Sequence, residues 1–147
     1  MPASGYFERQ TFSDGTKIPH YIHNPGGELL MLAGLYSWWK DHRVPDDDPN
    51  AWTLTTTILT SGAVDELLHI HDRNPVTLPS EWWDRWLDPE LAGTQELVDA
   101  AVQAALPVAR SLAVYEVAPL PFRGNGPYLI EPVIALEGTE DWLSTES

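Results

Sequence analysis

The chain has 147 residues, 43% hydrophobic and 10% aromatic, a composition that suits one globular domain able to bury a core of its own. Its 22 acidic and 8 basic side chains give a formal net charge of −14, which argues against broad, sequence-independent binding to phosphate backbones. With no cysteine there is neither a disulfide framework nor a thiolate metal site. No run approaches the ~20 apolar residues that cross a bilayer, and Met1-Pro2-Ala3-Ser4-Gly5 lacks the basic and apolar segments of a secretory signal, so a cytoplasmic protein with no membrane partner is expected.

In chain order, the first forty residues read as strands joined by tight turns at Ser13-Asp14-Gly15-Thr16 and Asn24-Pro25-Gly26-Gly27. Pro19 to His23 has strand composition, and Leu29 to Tyr36 is apolar enough for a strand buried on both faces. A polar loop follows, from Lys40 to Asn50, and contains the acidic cluster Asp46-Asp47-Asp48. Thr53 to Thr60, rich in β-branched residues, predicts another strand. Helices come later. Ser80 and Glu81 read as a helix opening, with Trp82, Trp83, Trp86 and Leu87 at helical spacing behind them. Thr94 reads as a second cap, before the apolar stripe Leu97, Val98, Ala101, Val102 and Ala105, and Pro107 is expected to end that helix. Leu112 to Val117 returns to strand character, and a Pro- and Gly-punctuated loop leads to Tyr128–Val133. The predicted fold is one α+β domain over residues 1–136, its mixed, mostly antiparallel sheet barrel-like with a few helices, followed by an acidic tail at 137–147.

Two short segments carry proton-transfer chemistry. Glu8 shares a strand face with Tyr6 and is either a solvated carboxylate or one held in a pocket, where desolvation would suit it to move protons. His71, in His-Asp-Arg-Asn-Pro, is either an acid–base group or a structural histidine. Arg73 is suited to bidentate contact with a phosphate or carboxylate, and equally to a structural ion pair. Arg9, Lys40, Arg43 and Arg73 are the cations available for a narrow basic groove. Trp38-Trp39 is the better base-stacking candidate among seven tryptophans, the helically spaced ones reading as core. The pairs His20-x-x-His23 and His69-x-His71 lack a convincing third ligand, so neither a metal nor another cofactor is expected.

In order along the chain, these motifs resemble the SOS-response-associated peptidase (SRAP) family of abasic-site processing proteins. Pro2-Ala3-Ser4-Gly5-Tyr6-Phe7-Glu8 is similar to its Pro-Ala-x-Gly-(Tyr/Phe)-Tyr-Glu-Trp segment, and Pro19-His20-Tyr21-Ile22 to Pro-Tyr-x-Ile. Ala33-Gly34-Leu35-Tyr36 resembles Ala-Gly-Leu-Trp, and Thr57-Ile58-Leu59-Thr60 then His71-Asp72-Arg73-Asn74-Pro75-Val76 resemble Thr-x-Leu-Thr and His-Asp-Arg-Met-Pro-Val. Leu78 to Pro89 and Gly126 to Pro132 fit the family's later elements.

The resemblance implies a DNA-damage, SOS-response protein of hydrolase, peptidase or lyase type that recognises abasic sites in single-stranded DNA. In that chemistry the amine and thiol of an N-terminal cysteine condense with the ring-opened sugar, giving a covalent protein–DNA linkage. Glu8 maps onto the glutamate that shuttles protons during crosslink formation and reversal, and His71 onto the histidine that assists ring opening and strand cleavage. Arg73, with Arg9 and Trp38 beside it, would contact DNA. The departures are Arg9 for the family Trp, Asn74 for Met, and a match that begins mid-domain, without the cysteine. The chain then reads as inactive alone or as one half of a split protein that needs a complementary N-terminal polypeptide or self-association. The other reading is a non-catalytic acidic binding or scaffold module that retains the fold. A third chemistry, an iminium on Pro2 after methionine removal, is also open.

Overall fold

Turn chemistry and alternation set the strands of the computed structural model, which describes residues 1–133. They are β1 (Pro2–Ala3), β2 (Gly5–Thr11), β3 (Lys17–His23), β4 (Leu30–Met31), β5 (Gly34–Lys40), β6 (Trp52–Ile58), β7 (Thr60–Gly62), β8 (Arg73–Pro75) and β9 (Ala113–Glu116). Helices α1 (Trp83–Leu87) and α2 (Gln95–Arg110) lie between β8 and β9. The β2–β3 turn closes where Gly15 takes φ +85°, a conformation that costs glycine little, and where Asp14 accepts a hydrogen bond from the Thr16 N–H at 2.9 Å.

Among the described residues every strand pairing is antiparallel. One sheet has three strands in the order β2-β3-β9; β1–β4, β5–β6 and β7–β8 are separate two-stranded ribbons. The α+β class and single domain of the sequence reading hold, but among the described residues no set of strands closes into a barrel.

Helix α2 joins two core clusters. Ala101 and Ala105 pack with Ala33, Val76 and Leu78, and Ala109 packs with Ile22, Val64 and Leu67. These three alanines recur every four residues on one helix face, and their small side chains let the backbone lie close to the sheets. Thr94 caps the helix as its sequence suggests, its Oγ1 accepting from the Leu97 N–H at 3.2 Å.

Several elements depart from expectation. Pro107 does not end α2, which continues to Arg110. The proline removes one N–H, but Ala109 and the partly buried Leu106 anchor the last turns in the second cluster. Residues 29–36 are not one doubly buried strand. Leu30, Leu32 and Ala33 are buried, whereas β5 leaves the core and exposes Leu35 and Tyr36. The break falls where Leu32 N–H donates to Met1 O and Ala33 N–H to Val76 O, irregular bonds that end one ribbon and start another. Ser80 opens a 3-10 turn (Ser80–Trp82) without a side-chain cap. Of the clustered tryptophans, Trp82 and Trp86 pack on the first core, while Trp83 is more exposed and donates its indole N–H to Leu78 O. Tyr128 lies in a 3-10 turn (Pro127–Ile130), and the segment returns to β9 through the Pro132–Val117 bridge and the Val133 N–H bond to Glu116 O. The acidic tail lies outside the described residues.

Candidate functional site

Alternation along β2 puts Tyr6, Glu8 and Gln10 on one face, opposite Ile22, His20 and Ile18 of β3. On its other side β3 places His20 opposite Glu116 and Ile22 opposite Val114 of β9. Two rows therefore cross the sheet on that face: an apolar row, Tyr6–Ile22–Val114, and a titratable row, Glu8–His20–Glu116.

The apolar row packs into the second core cluster against Val64 and Leu67. Tyr6 buries its hydroxyl there with no hydrogen-bond partner among the described residues. Burial, and secondarily the Glu8 carboxylate, push the Tyr6 phenol well above its ordinary range. Glu8 is half-buried, and its Oε1 accepts from the Arg9 N–H at 2.9 Å.

The segment that Tyr6 packs against leads directly into His71. Leu67 O accepts from the N–H groups of Ile70 at 2.9 Å and His71 at 3.3 Å. Asn74 fixes this segment from below: it is buried, its Oδ1 accepts from the Val64 N–H at 3.1 Å, and its amide donates to Pro75 O. Glu8 and His71 are thus carried by elements that meet in one core cluster, Glu8 half-buried and His71 exposed. The His71 Nδ1 lies 3.1 Å from the Arg73 N and 3.0 Å from Asp72 Oδ1. Unprotonated, that nitrogen accepts from Arg73; protonated, it donates to Asp72, so each tautomer has a partner.

The remaining predicted residues are dispersed. Arg73 clips β8 to β7: its Nε donates to Thr60 Oγ1 at 2.9 Å and its Nη2 to Thr60 O at 3.0 Å, and Nη1 has no partner among the described residues. Arg9 is exposed on the opposite face of β2 from Glu8. Trp38 stands on the β5–β6 ribbon opposite Leu54, and Pro2 pairs with Met31. Of the four cations named for a basic groove, Lys40 pairs with Asp46 at 2.8 Å and Arg43 with Asp41 at 2.7 Å. Cavities of about 650 and 440 Å³ lie elsewhere, one between Leu29 and Trp83, the other between Tyr36 and Leu97. Among the described residues no three His, Asp or Glu side chains converge as a cation site.

Residues 1–120 match the family model described as SOS response associated peptidase (SRAP). The chain belongs to the SRAP family. Among its relatives, the abasic site processing protein YoqW of Bacillus subtilis (strain 168) is 34% identical over 90 residues, 61% of this chain and 38% of YoqW. The abasic site processing protein YedK of Escherichia coli (strain K12) is 28% identical over 137 residues, 89% of this chain and 55% of YedK. A crystal structure of a protein from Bacteroides thetaiotaomicron shares the fold, with a TM-score of 0.67 at 24% identity, covering 91% of this chain and 56% of that one. The SRAP chain therefore spans 38% to 56% of the length of these relatives.

Sequence reasoning did not join Tyr6, His20 and Glu116 of this SRAP chain into one site, His20 being weighed there as a metal-ligand candidate. Tyr6 was legible only as a face-mate of Glu8; its orphaned hydroxyl depends on the distant Val64 and Leu67. His20 stands opposite Glu8 and Glu116 opposite His20 through strand register, and the β3–β9 pairing spans too much sequence for local patterns to reveal. No helix among the described residues is long and apolar enough to cross a membrane.

Proposed function

We propose that this chain supplies the acid–base groups of an abasic-site processing centre acting on single-stranded DNA, with Glu8 and His71 as the proton carriers. The observation that carries the reading is the SRAP match combined with the placement of Glu8 beside the buried Tyr6 hydroxyl, on the sheet face that packs against the segment leading into His71. A ring-opened abasic sugar presents an aldehyde. Its condensation with an amine expels water, and Glu8 relays the proton released by the attacking amine to the departing hydroxyl. His71 moves a proton at the sugar and so assists ring opening and strand cleavage, a role that its exposure and the Arg73 N–H bond to its Nδ1 support. The unpaired Nη1 of Arg73 is available to a DNA phosphate. These 147 residues contain no cysteine, so the thiol of a thiazolidine-type linkage comes from polypeptide outside them.

The net charge of −14 and the local pairing of Lys40 and Arg43 favour a second reading, an acidic binding module that keeps the SRAP fold without the chemistry. One experiment separates the two. The chain is incubated with single-stranded DNA bearing one abasic site, alone and with an added cysteine-bearing fragment of the SRAP domain part it does not span. A denaturation-resistant adduct that forms only with the fragment, and about 100-fold more slowly with Glu8→Gln, supports the enzyme reading. No adduct and no preference for abasic over intact DNA in either mixture supports the module. Borohydride trapping with the chain alone tests Pro2 in the same samples.

A further inference from the structure

The β5–β6 ribbon is a two-stranded hairpin with large apolar side chains on both faces. Register places Tyr36, Trp38 and Lys40 on one face with Thr56, Leu54 and Trp52, and Leu35, Ser37 and Trp39 on the other with Thr57, Thr55 and Thr53. On the first face Tyr36 is 75% exposed, Trp38 59%, Trp52 52% and Leu54 49%. An isolated hairpin is marginal in water, and contiguous exposed aromatics of this kind mark a surface that something covers. Aromatic enrichment is also the compositional mark of an interface core.

Charge decides between occupants. A nucleic-acid platform needs free cations along its stacking residues. Here Lys40 is paired with Asp46 and also lies over the Trp52 ring, and Arg43 is held by Asp41. Asp47 and Asp48 at the tip have no cation partner among the described residues, so the tip repels phosphate. A second copy would bring another −14 charge and another acidic tip against the first. The matched relatives contain, beyond the region shared with this chain, close to half or more of their own length.

We infer that the Tyr36–Trp38–Trp52–Leu54 face docks the part of an SRAP domain that these 147 residues do not span, supplied by polypeptide outside them. That partner presents apolar side chains to the aromatic face and basic ones to the Asp46–Asp48 tip. Its backbone extends the ribbon at an open strand edge. The inference rests on family membership and the ribbon, not on the chemistry of Glu8 or His71, so the adduct experiment above and the test below fail independently.

The test co-expresses the intact chain with the portion of YedK outside the matched 55% and reads complex mass by native mass spectrometry and amide protection by hydrogen exchange. The expected result is a 1:1 complex with new protection across 34–40 and 52–58. Trp38→Lys should weaken it roughly tenfold or more, as loss of a central aromatic anchor does. Phe122→Lys, at a 99% exposed site off the ribbon, should leave it intact. Should the fragment prove insoluble alone, a flexible fusion of the two pieces is read by the same protection pattern. Three results would overturn the inference: ribbon amides that stay unprotected in the mixture and the fusion, ribbon protection through self-association of the chain, or protection conferred by oligo-dT instead.

Discussion

Glu8 of β2 and His20 of β3 stand directly opposite each other, and His20 stands opposite Glu116 on its other flank. The His20 Nδ1 lies 3.1 Å from Ile18 O, a carbonyl that can only accept, so that nitrogen carries the proton. Nitrogen-15 shifts should therefore report a proton on His20 Nδ1, and a His20 Nδ1 without its proton would contradict the arrangement.

Tyr6 makes a pH-dependent prediction. Its phenol is held above the ordinary value of 10.0 by burial, with the Glu8 carboxylate adding to the effect. A raised acid binds more protons in the folded than in the unfolded state once the pH passes the unfolded value, so stability is full below about pH 10 and falls as pH rises beyond it. Tyr6→Phe removes that dependence. At pH 7 the variant should be neutral or slightly stabilised, because the hydroxyl it removes has no partner. Denaturation at pH 7 and at pH 10 to 11 should show the variant overtaking the parent on the alkaline side, and parallel losses would refute it.

Asn74 explains how a polar residue occupies the position where the resembling motif carries methionine. Its Oδ1 satisfies the Val64 N–H at the start of the segment that supports both Tyr6 and His71. Asn74→Ala leaves that amide buried and unpaired, at a cost of about 1–3 kcal/mol. Urea denaturation should show the midpoint falling with little change in slope. Hydrogen exchange should show the loss starting in residues 63–71, and unchanged protection there would dismiss the role.

The turn at Asp14-Gly15, the Thr94 cap and the β-branched run of β6 were legible in the sequence because each is a local preference that the fold leaves undisturbed. Pro107 misled because tertiary anchoring of Leu106 and Ala109 outweighs one lost hydrogen bond. The run 29–36 misled for a different reason. Apolar composition signals a need for cover, and it does not say that the cover lies within the same 147 residues. Glu8 and His71 could be named from motifs, whereas the row Glu8–His20–Glu116 required register across three strands.

Helix α2 gives the most direct test of how the two cores are joined. Thr94 accepts from Leu97 N–H at the exposed N-terminus, so Thr94→Ala should cost about 1 kcal/mol without disturbing either cluster. Ala105, buried against Val76 and Leu78, has no such freedom. Ala105→Leu forces extra methylenes into a packed seam and should cost about 1–3 kcal/mol. If α2 transmits core packing between the clusters, Ala105→Leu should also weaken amide protection near Val64 and Leu67, in the cluster it does not touch, whereas Thr94→Ala should not. Equal effects of the two substitutions on that distant segment would show that the clusters respond only to overall stability.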